Sequence, residues 1–322
     1  DEMSSRGLGD VYKRQKYYIE ETVADIVMVY HQLVYEHQLL QNYKQSLDIS
    51  SNRLNIETRR REVGASSALN YGQALVDYQT DSIRYLSQLN AIESLEIELN
   101  RVINTDLEAS YSPDLTFQLN ALPTRDSLLN AIKTTNKQLQ TQRLQELLAE
   151  TNLRLAKADK FPKIDLFAGA QYSQSFAQVG FVESNRNIGP AFGLNISYNL
   201  FNGGAVKRNV ANNLIEIENA SLNRQEVNTN LNASTLDLYK QYASLQQRIA
   251  LATQNIDAMQ NVYKTAEEQL KSGAINGFDF RATQLSLINT ELTLIQLQFM
   301  LKAVEININR LSGNVVEAYM GN

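Results

Sequence analysis

The chain has 322 residues, of which 43% are hydrophobic and 20% charged, with a formal net charge of −5. It holds no Cys and two His, which excludes a disulfide framework and a thiolate metal site, and its acidic balance argues against nucleic acid as a partner. No apolar run approaches the eighteen or so residues of a membrane-spanning helix, and the first residues do not read as a signal peptide.

Residues 1–15, D-E-M-S-S-R-G-L-G-D-V-Y-K-R-Q, do not match residues 210–224, which read as helix and correspond to them in the repeat described below, and are set aside as non-native or disordered. Residues 16–105 read as a helical hairpin, broken at Gly64-Ala65-Ser66-Ser67-Ala68-Leu69. The run Arg59-Arg60-Arg61 before the break is either a solvated helix face or a surface for acidic groups on a neighbour. Residues 106–125 form a linker. A helix follows over 126–159 and is ended by Phe161-Pro162.

The texture then changes. In 163–172, Ile164, Leu166, Ala168, Ala170 and Tyr172 alternate with Asp165, Phe167, Gly169 and Gln171; in 191–200, Phe192, Leu194, Ile196, Tyr198 and Leu200 alternate with small or amide side chains. Both are period-two strands of a β-hairpin over 163–200, with a polar connection at 176–190. Such strands suit a transmembrane β-barrel, although a soluble hairpin packed on helices has the same pattern.

Residues 204–271 then read as a nearly continuous helix of about 100 Å at 1.5 Å per residue. Its seam, Leu238, Tyr242, Leu245, Ile249, Ala252, Ile256, Met259, Tyr263, Ala266 and Leu270, steps alternately by four and three. After a break at Gly273-Ala274-Ile275-Asn276-Gly277-Phe278, the helix to residue 312 carries two seams. Leu285, Ile288, Leu292, Ile295, Phe299 and Ile306 form one; Leu287, Leu294, Leu297, Leu301, Val304, Ile308 and Leu311 form the other. Two seams require a neighbour on each side, as in a ring of helices. Residues 317–322 are a tail.

The two breaks are related. Gly64 set on Gly273 fixes an offset of 209, and in that register Tyr30 meets Tyr239, Asp48 meets Asp257, Glu96 meets Glu305 and Asn100-Arg101 meets Asn309-Arg310. Residues 22–105 and 231–314 are therefore two copies of one unit, the second preceded by a helix and a hairpin within 126–316. The equivalent helix and strands are expected ahead of the first copy, so the chain is expected to be a fragment; three complete chains of four strands would close one barrel.

This plan resembles that of the TolC-like outer membrane efflux proteins. F-P-K-I-D-L-F-A at 161–168 resembles the family's Pro-led hairpin start. Y-N-L-F-N-G-G at 198–204 resembles its strand-to-helix turn, here Phe201, Asn202, Gly203 and Gly204, and N-R-L-S-G-N at 309–314 resembles its ending. The resemblance covers residues 16–316. It implies a mainly α fold with one β-hairpin, in which long antiparallel coiled-coil hairpins build a trimeric α-barrel and the β-hairpin contributes to a transmembrane β-barrel.

The implied role is a passive exit duct of a tripartite efflux or type I secretion system, located in the outer membrane and extending into the periplasm. The implied partners are two further copies in a homotrimer, a periplasmic adaptor (membrane fusion) protein, an inner-membrane pump and outer membrane lipid. Residues Gly64 to Leu69 and Gly273 to Phe278 would meet the adaptor. Asp279, with Arg281 beside it, would stand at the pore constriction; the family's second acidic position is Ala282 here. Asp279 reads equally as a helix cap. A structural or sensory periplasmic coiled-coil protein is the alternative for the whole chain. His31 and His37 are six apart, outside the spacing of a helical metal pair, and no catalytic constellation, cofactor motif or metal site is found.

Overall fold

The structure is a computed structural model and describes residues 2–119, 122–176 and 184–320. In chain order the elements are α1 (Glu2–Glu62), α2 (Ala68–Ile103), α3 (Arg125–Thr135), α4 (Lys137–Ala158), β1 (Lys163–Phe176), β2 (Ser184–Ser197), α5 (Ala205–Ser272), α6 (Gly277–Ser312) and α7 (Val315–Met320). They fall into two compact units, Asp1–Gln140 with Asn228–Asn322, and Thr141–Val227. This division cuts across the repeat boundaries. Among the described residues no helix is long and apolar enough to cross a membrane.

In the first unit the helices lie in the order α2–α1–α6–α5. The two seams of α6 account for its two neighbours. Leu297, Leu301, Val304 and Ile308 are buried with Tyr242 and Leu245 of α5 and Leu128 of α3. On the other side, Ile306 is buried with Ala24 of α1 and Val315 of α7, and Phe299 stacks on Tyr35 at a centroid distance of 5.0 Å. Burying such stripes on both sides contributes roughly 1.5–3 kcal/mol per large apolar side chain. Leu33 of α1 packs with Ile92 and Leu99 of α2 in a third cluster.

The repeat is visible element by element. Helices α2 and α6 are both 36 residues long, and their bounds differ by the same offset of 209. Ser67 and Asn276 cap their N-termini, and Asn104 (φ 55) and Gly313 (φ 66) end them in the left-handed region. After each, a Glu and an Asn one turn apart fold the chain back. Glu96 Oε1 accepts from Tyr111 N at 2.8 Å and Asn100 Oδ1 accepts from the Tyr111 hydroxyl at 2.5 Å. In the second copy Glu305 and Asn309 face the Tyr319 hydroxyl at 3.4 and 3.5 Å.

Residues 2–15 are helical and continue α1. Three expectations about element bounds change. The helix expected over 126–159 is two helices parted at Asn136 (φ −60, ψ 120). No Gly or Pro marks that break. Asn136 makes it, because its Oδ1 accepts from Leu139 N at 2.9 Å as an N-cap while its Nδ2 donates to Leu311 O at 2.8 Å. The described parts of the connection at 176–190 are strand, since β1 runs to Phe176 and β2 starts at Ser184; its middle, 177–183, lies outside the described residues. At its other end β2 stops at Ser197, before the residue 200 read from the alternation.

In the second unit β1 and β2 pair antiparallel. The register opposes Ile164 to Ile196, Leu166 to Leu194, Ala168 to Phe192, Ala170 to Pro190 and Tyr172 to Ile188, so one face is an unbroken apolar band. The helices beside the hairpin are tied by an ion pair, Arg224 Nε to Glu146 Oε2 at 2.7 Å.

Candidate functional site

The tips are built by the same backbone chemistry twice. Gly64 N donates to Arg61 O at 3.0 Å and Gly273 N to Leu270 O at 3.1 Å; Ala65 N donates to Arg60 O at 2.7 Å and Ala274 N to Gln269 O at 2.8 Å. Gly64 and Gly273 hold φ of 76 and 77, where a side chain is strained. The non-helical tips are thus shorter than the expected spans: Ala68, Leu69, Gly277 and Phe278 already belong to first helical turns. Leu69 is 78% exposed and Phe278, its repeat partner, 71%. Each tip therefore presents a large apolar side chain at the same place, and the first adds the exposed Val63.

Asp279 is not the cap of α6. Asn276 is, its Oδ1 accepting from Phe278 N and Asp279 N at 2.9 Å each. The Asp279 carboxylate is exposed in the first turn and lines a surface groove of about 390 Å³ with Thr265, Gln269 and Thr283. A first-turn carboxylate also interacts favourably with the helix dipole.

Arg281, expected beside Asp279 at a constriction, has its side chain turned onto α2 within the chain. It is buried, and its Nη1 and Nη2 donate to Asp81 Oδ2 and Oδ1 at 2.9 and 2.8 Å, with a further bond to Gln284 Oε1 at 3.0 Å. Asp77 Oδ1 lies 3.8 Å from Arg281 and Asp77 Oδ2 accepts from Arg53 at 2.7 Å. Arg53 in turn covers Gly277, where an added Cβ would sit 2.7 Å from its Nη2. This network joins α6, α2 and α1 close to the tips. Sequence reasoning missed it; its signal was Asp77 and Asp81, one turn apart on α2, with an Arg where the first copy has Gly72.

The arginine run is largely used within the chain. Arg60 pairs with Glu57 at 3.3 Å, and Arg61 lies 4.4 Å from the Tyr71 ring centroid.

The hairpin bears the other candidate surface. Its apolar band is solvent-exposed throughout, with Leu166 at 81% and Phe192 at 82%. The opposite face pairs Asp165 with Asn195, Gln171 with Gly189 and Ser173 with Asn187. Phe167 is the exception there, and its ring lies over Gly193, so a Cβ there would have to displace it.

A sequence profile of outer membrane efflux proteins matches residues 128–314. The chain belongs to the outer membrane efflux protein family. No curated protein matches it by sequence. Among solved structures it is similar to VceC from Vibrio cholerae, at 16% identity and TM-score 0.79, over 96% of this chain and 74% of that one. The Campylobacter jejuni CmeC channel matches at 12% identity and TM-score 0.79, over 97% and 66%. The open state of Neisseria gonorrhoeae MtrE matches at 16% identity and TM-score 0.71, over 97% and 70%. The fold is thus that of an outer membrane channel, mainly helical with one antiparallel hairpin.

In this efflux protein a tight turn joins β2 to α5. Gly203 and Gly204 have φ of 60 and 78, and Ala205 N donates to Asn202 O at 3.1 Å, closing a tight turn with two successive left-handed residues. Arg208 of α5 braces it by donating to Gly203 O at 2.8 Å. Phe201 stays exposed beside the turn, continuing the apolar character of the hairpin's foot.

Proposed function

We propose that the full-length protein is a homotrimeric exit duct, passive in itself, for drugs or secreted substrates. Its hairpins would contribute to a β-barrel in the outer membrane and its long helices to an α-barrel in the periplasm. An inner-membrane pump would supply the energy, and a periplasmic adaptor would dock at the tips, with Leu69 and Phe278 as contacts. The three Asp279 carboxylates would gather at the periplasmic mouth and favour cations there.

One observation carries this reading. The hairpin offers ten apolar residues on one face, and none of the described residues covers them. In water such a face is an aggregation liability; against lipid it is a membrane strand. Spanning Ile164 to Tyr172 takes about 26 Å along the strand, or about 20 Å of membrane depth at the usual tilt. The test is fractionation of the full-length protein, with native mass and planar-bilayer conductance. Trimers in the outer membrane that conduct are expected. A monomer released by salt washing, with no conductance, would overturn the proposal.

A further inference from the structure

The apolar face of the hairpin does not end in solvent-neutral residues. One rung beyond Tyr172 and Ile188, on the same face, the register sets Gln174 opposite Arg186. The guanidinium carbon of Arg186 lies 5.4 Å from the Tyr172 ring centroid, and the Tyr172 hydroxyl donates to Gln174 Oε1 at 2.5 Å. Phe176, on the next rung of the same face, is also exposed. The arginine is thus flanked by two aromatic side chains and braced on one of them. Among the described residues no carboxylate pairs with it. Asp165, the acidic residue among the described positions of the strands, is on the opposite face at the far end.

Depth makes this placement meaningful. From Ile164 to Gln174 is ten residues, about 33 Å along the strand and about 25 Å of height at the usual tilt. That is the thickness of the apolar band of an outer membrane barrel, so Arg186 falls at its edge, at the level of the aromatic girdle. The feet of the hairpin lead into α4 and α5, so its loop end belongs to the opposite, outer leaflet if the helices are periplasmic. The groups found at that level are lipid headgroups. A planar guanidinium already held by an aromatic ring matches a phosphate with two parallel N–H···O bonds.

We infer that Arg186, with Tyr172 and Gln174, forms a site on the lipid-facing surface for the phosphate of an outer-leaflet lipid. The inference rests on the channel reading above. Tyr172 orients the guanidinium, Gln174 offers a neutral amide donor beside it, and Phe176 and Ile188 pack against the lipid on either side.

The test is lipid binding to the full-length protein by native mass spectrometry, titrating phosphatidylcholine and diphosphorylated lipid A separately. Wild type is expected to prefer lipid A. Arg186→Gln should lose about fivefold of that affinity, the usual worth of one basic residue near a charged surface. Arg186→Lys, which keeps the charge without the fork, should fall between. Millimolar inorganic phosphate should not displace the lipid; full displacement would make the site one for free phosphate and overturn the lipid assignment. Equal lipid A preference in wild type and Arg186→Gln would overturn the inference alone. Failure of the wild type to enter any bilayer or retain any lipid would remove the channel reading and this inference together.

Discussion

At the scale of single residues, the tip region depends on Arg281. Asp81 is 1% exposed and its remaining cation, Arg84, is 3.8 Å away and half in solvent. Arg281→Gln would leave that carboxylate buried and poorly paired, a loss of about 3 kcal/mol. Chemical denaturation should show it, and the double variant Arg281→Met with Asp81→Leu should recover most of it. A loss below about 0.5 kcal/mol would mean that the network is incidental. His31 gives a pH signature. Burial first, and the nearby Lys302 second, lower its pKa from 6.5 to about 4. The unfolded chain therefore takes up a proton near pH 6.5 that the folded chain refuses, so stability falls as the pH drops from 6.5 towards 4. His31→Gln should flatten the denaturation midpoint across that window; an unchanged slope would place the acid sensitivity elsewhere.

At the scale of elements, the hairpin register has one pin that can be tested. The Phe167 ring fills the space where Gly193 lacks a side chain, and a Cβ there would meet Cζ at 2.5 Å. Gly193→Val should force the ring off the strand and lower the yield of heat-resistant trimer of the full-length protein. Phe167→Ala in the same chain should restore it. Restoration failing while Gly193→Val is damaging would show that the glycine serves some other need. The apolar band was legible in the sequence because alternation fixes a face before any partner is known. The Gly193–Phe167 contact was not, because it depends on which rung opposes which. Asn136 shows the same limit. A helix break made by an amide that caps the next helix and grips Leu311 at once has no local marker as strong as Gly or Pro.

At the scale of the molecule, the two seams of α6 predicted its two neighbours, and the offset of 209 predicted that α2 and α6 share their bounds. What the repeat hid was its asymmetry. Arg281 answers to Gly72, Asp81 to Thr290, and Arg53 to Val262, so the polar network that joins the two copies is built from residues the repeat does not share. Periodicity finds where helices touch; it is blind to long side chains that reach past the nearest helix. The structure also changes how the tips are best probed. A Lys at Gly277 would collide with Arg53 and disturb Asp77, whereas Leu69→Asp and Phe278→Asp alter exposed side chains alone. Those two variants should impair export by the full-length protein without changing conductance in planar bilayers. Altered conductance would assign the side chains to the pore instead of to docking.

The matched bounds of α2 and α6 make the tip an interchangeable part. Residues 64–71, G-A-S-S-A-L-N-Y, can replace 273–280, G-A-I-N-G-F-D-F, with the same left-handed glycine and a side-chain cap at the same step. Made with Gly277 retained, because a Cβ there would meet Arg53 at 2.7 Å, the transplant keeps the turn and exchanges Asp279 for a neutral Asn. Shape and charge, which duplication copied together and divergence then separated, become independent variables at one end of a single chain. A conducting trimer carrying the transplant, compared with the same transplant in which Asp is restored at 279, would report what the carboxylate alone contributes to ion preference.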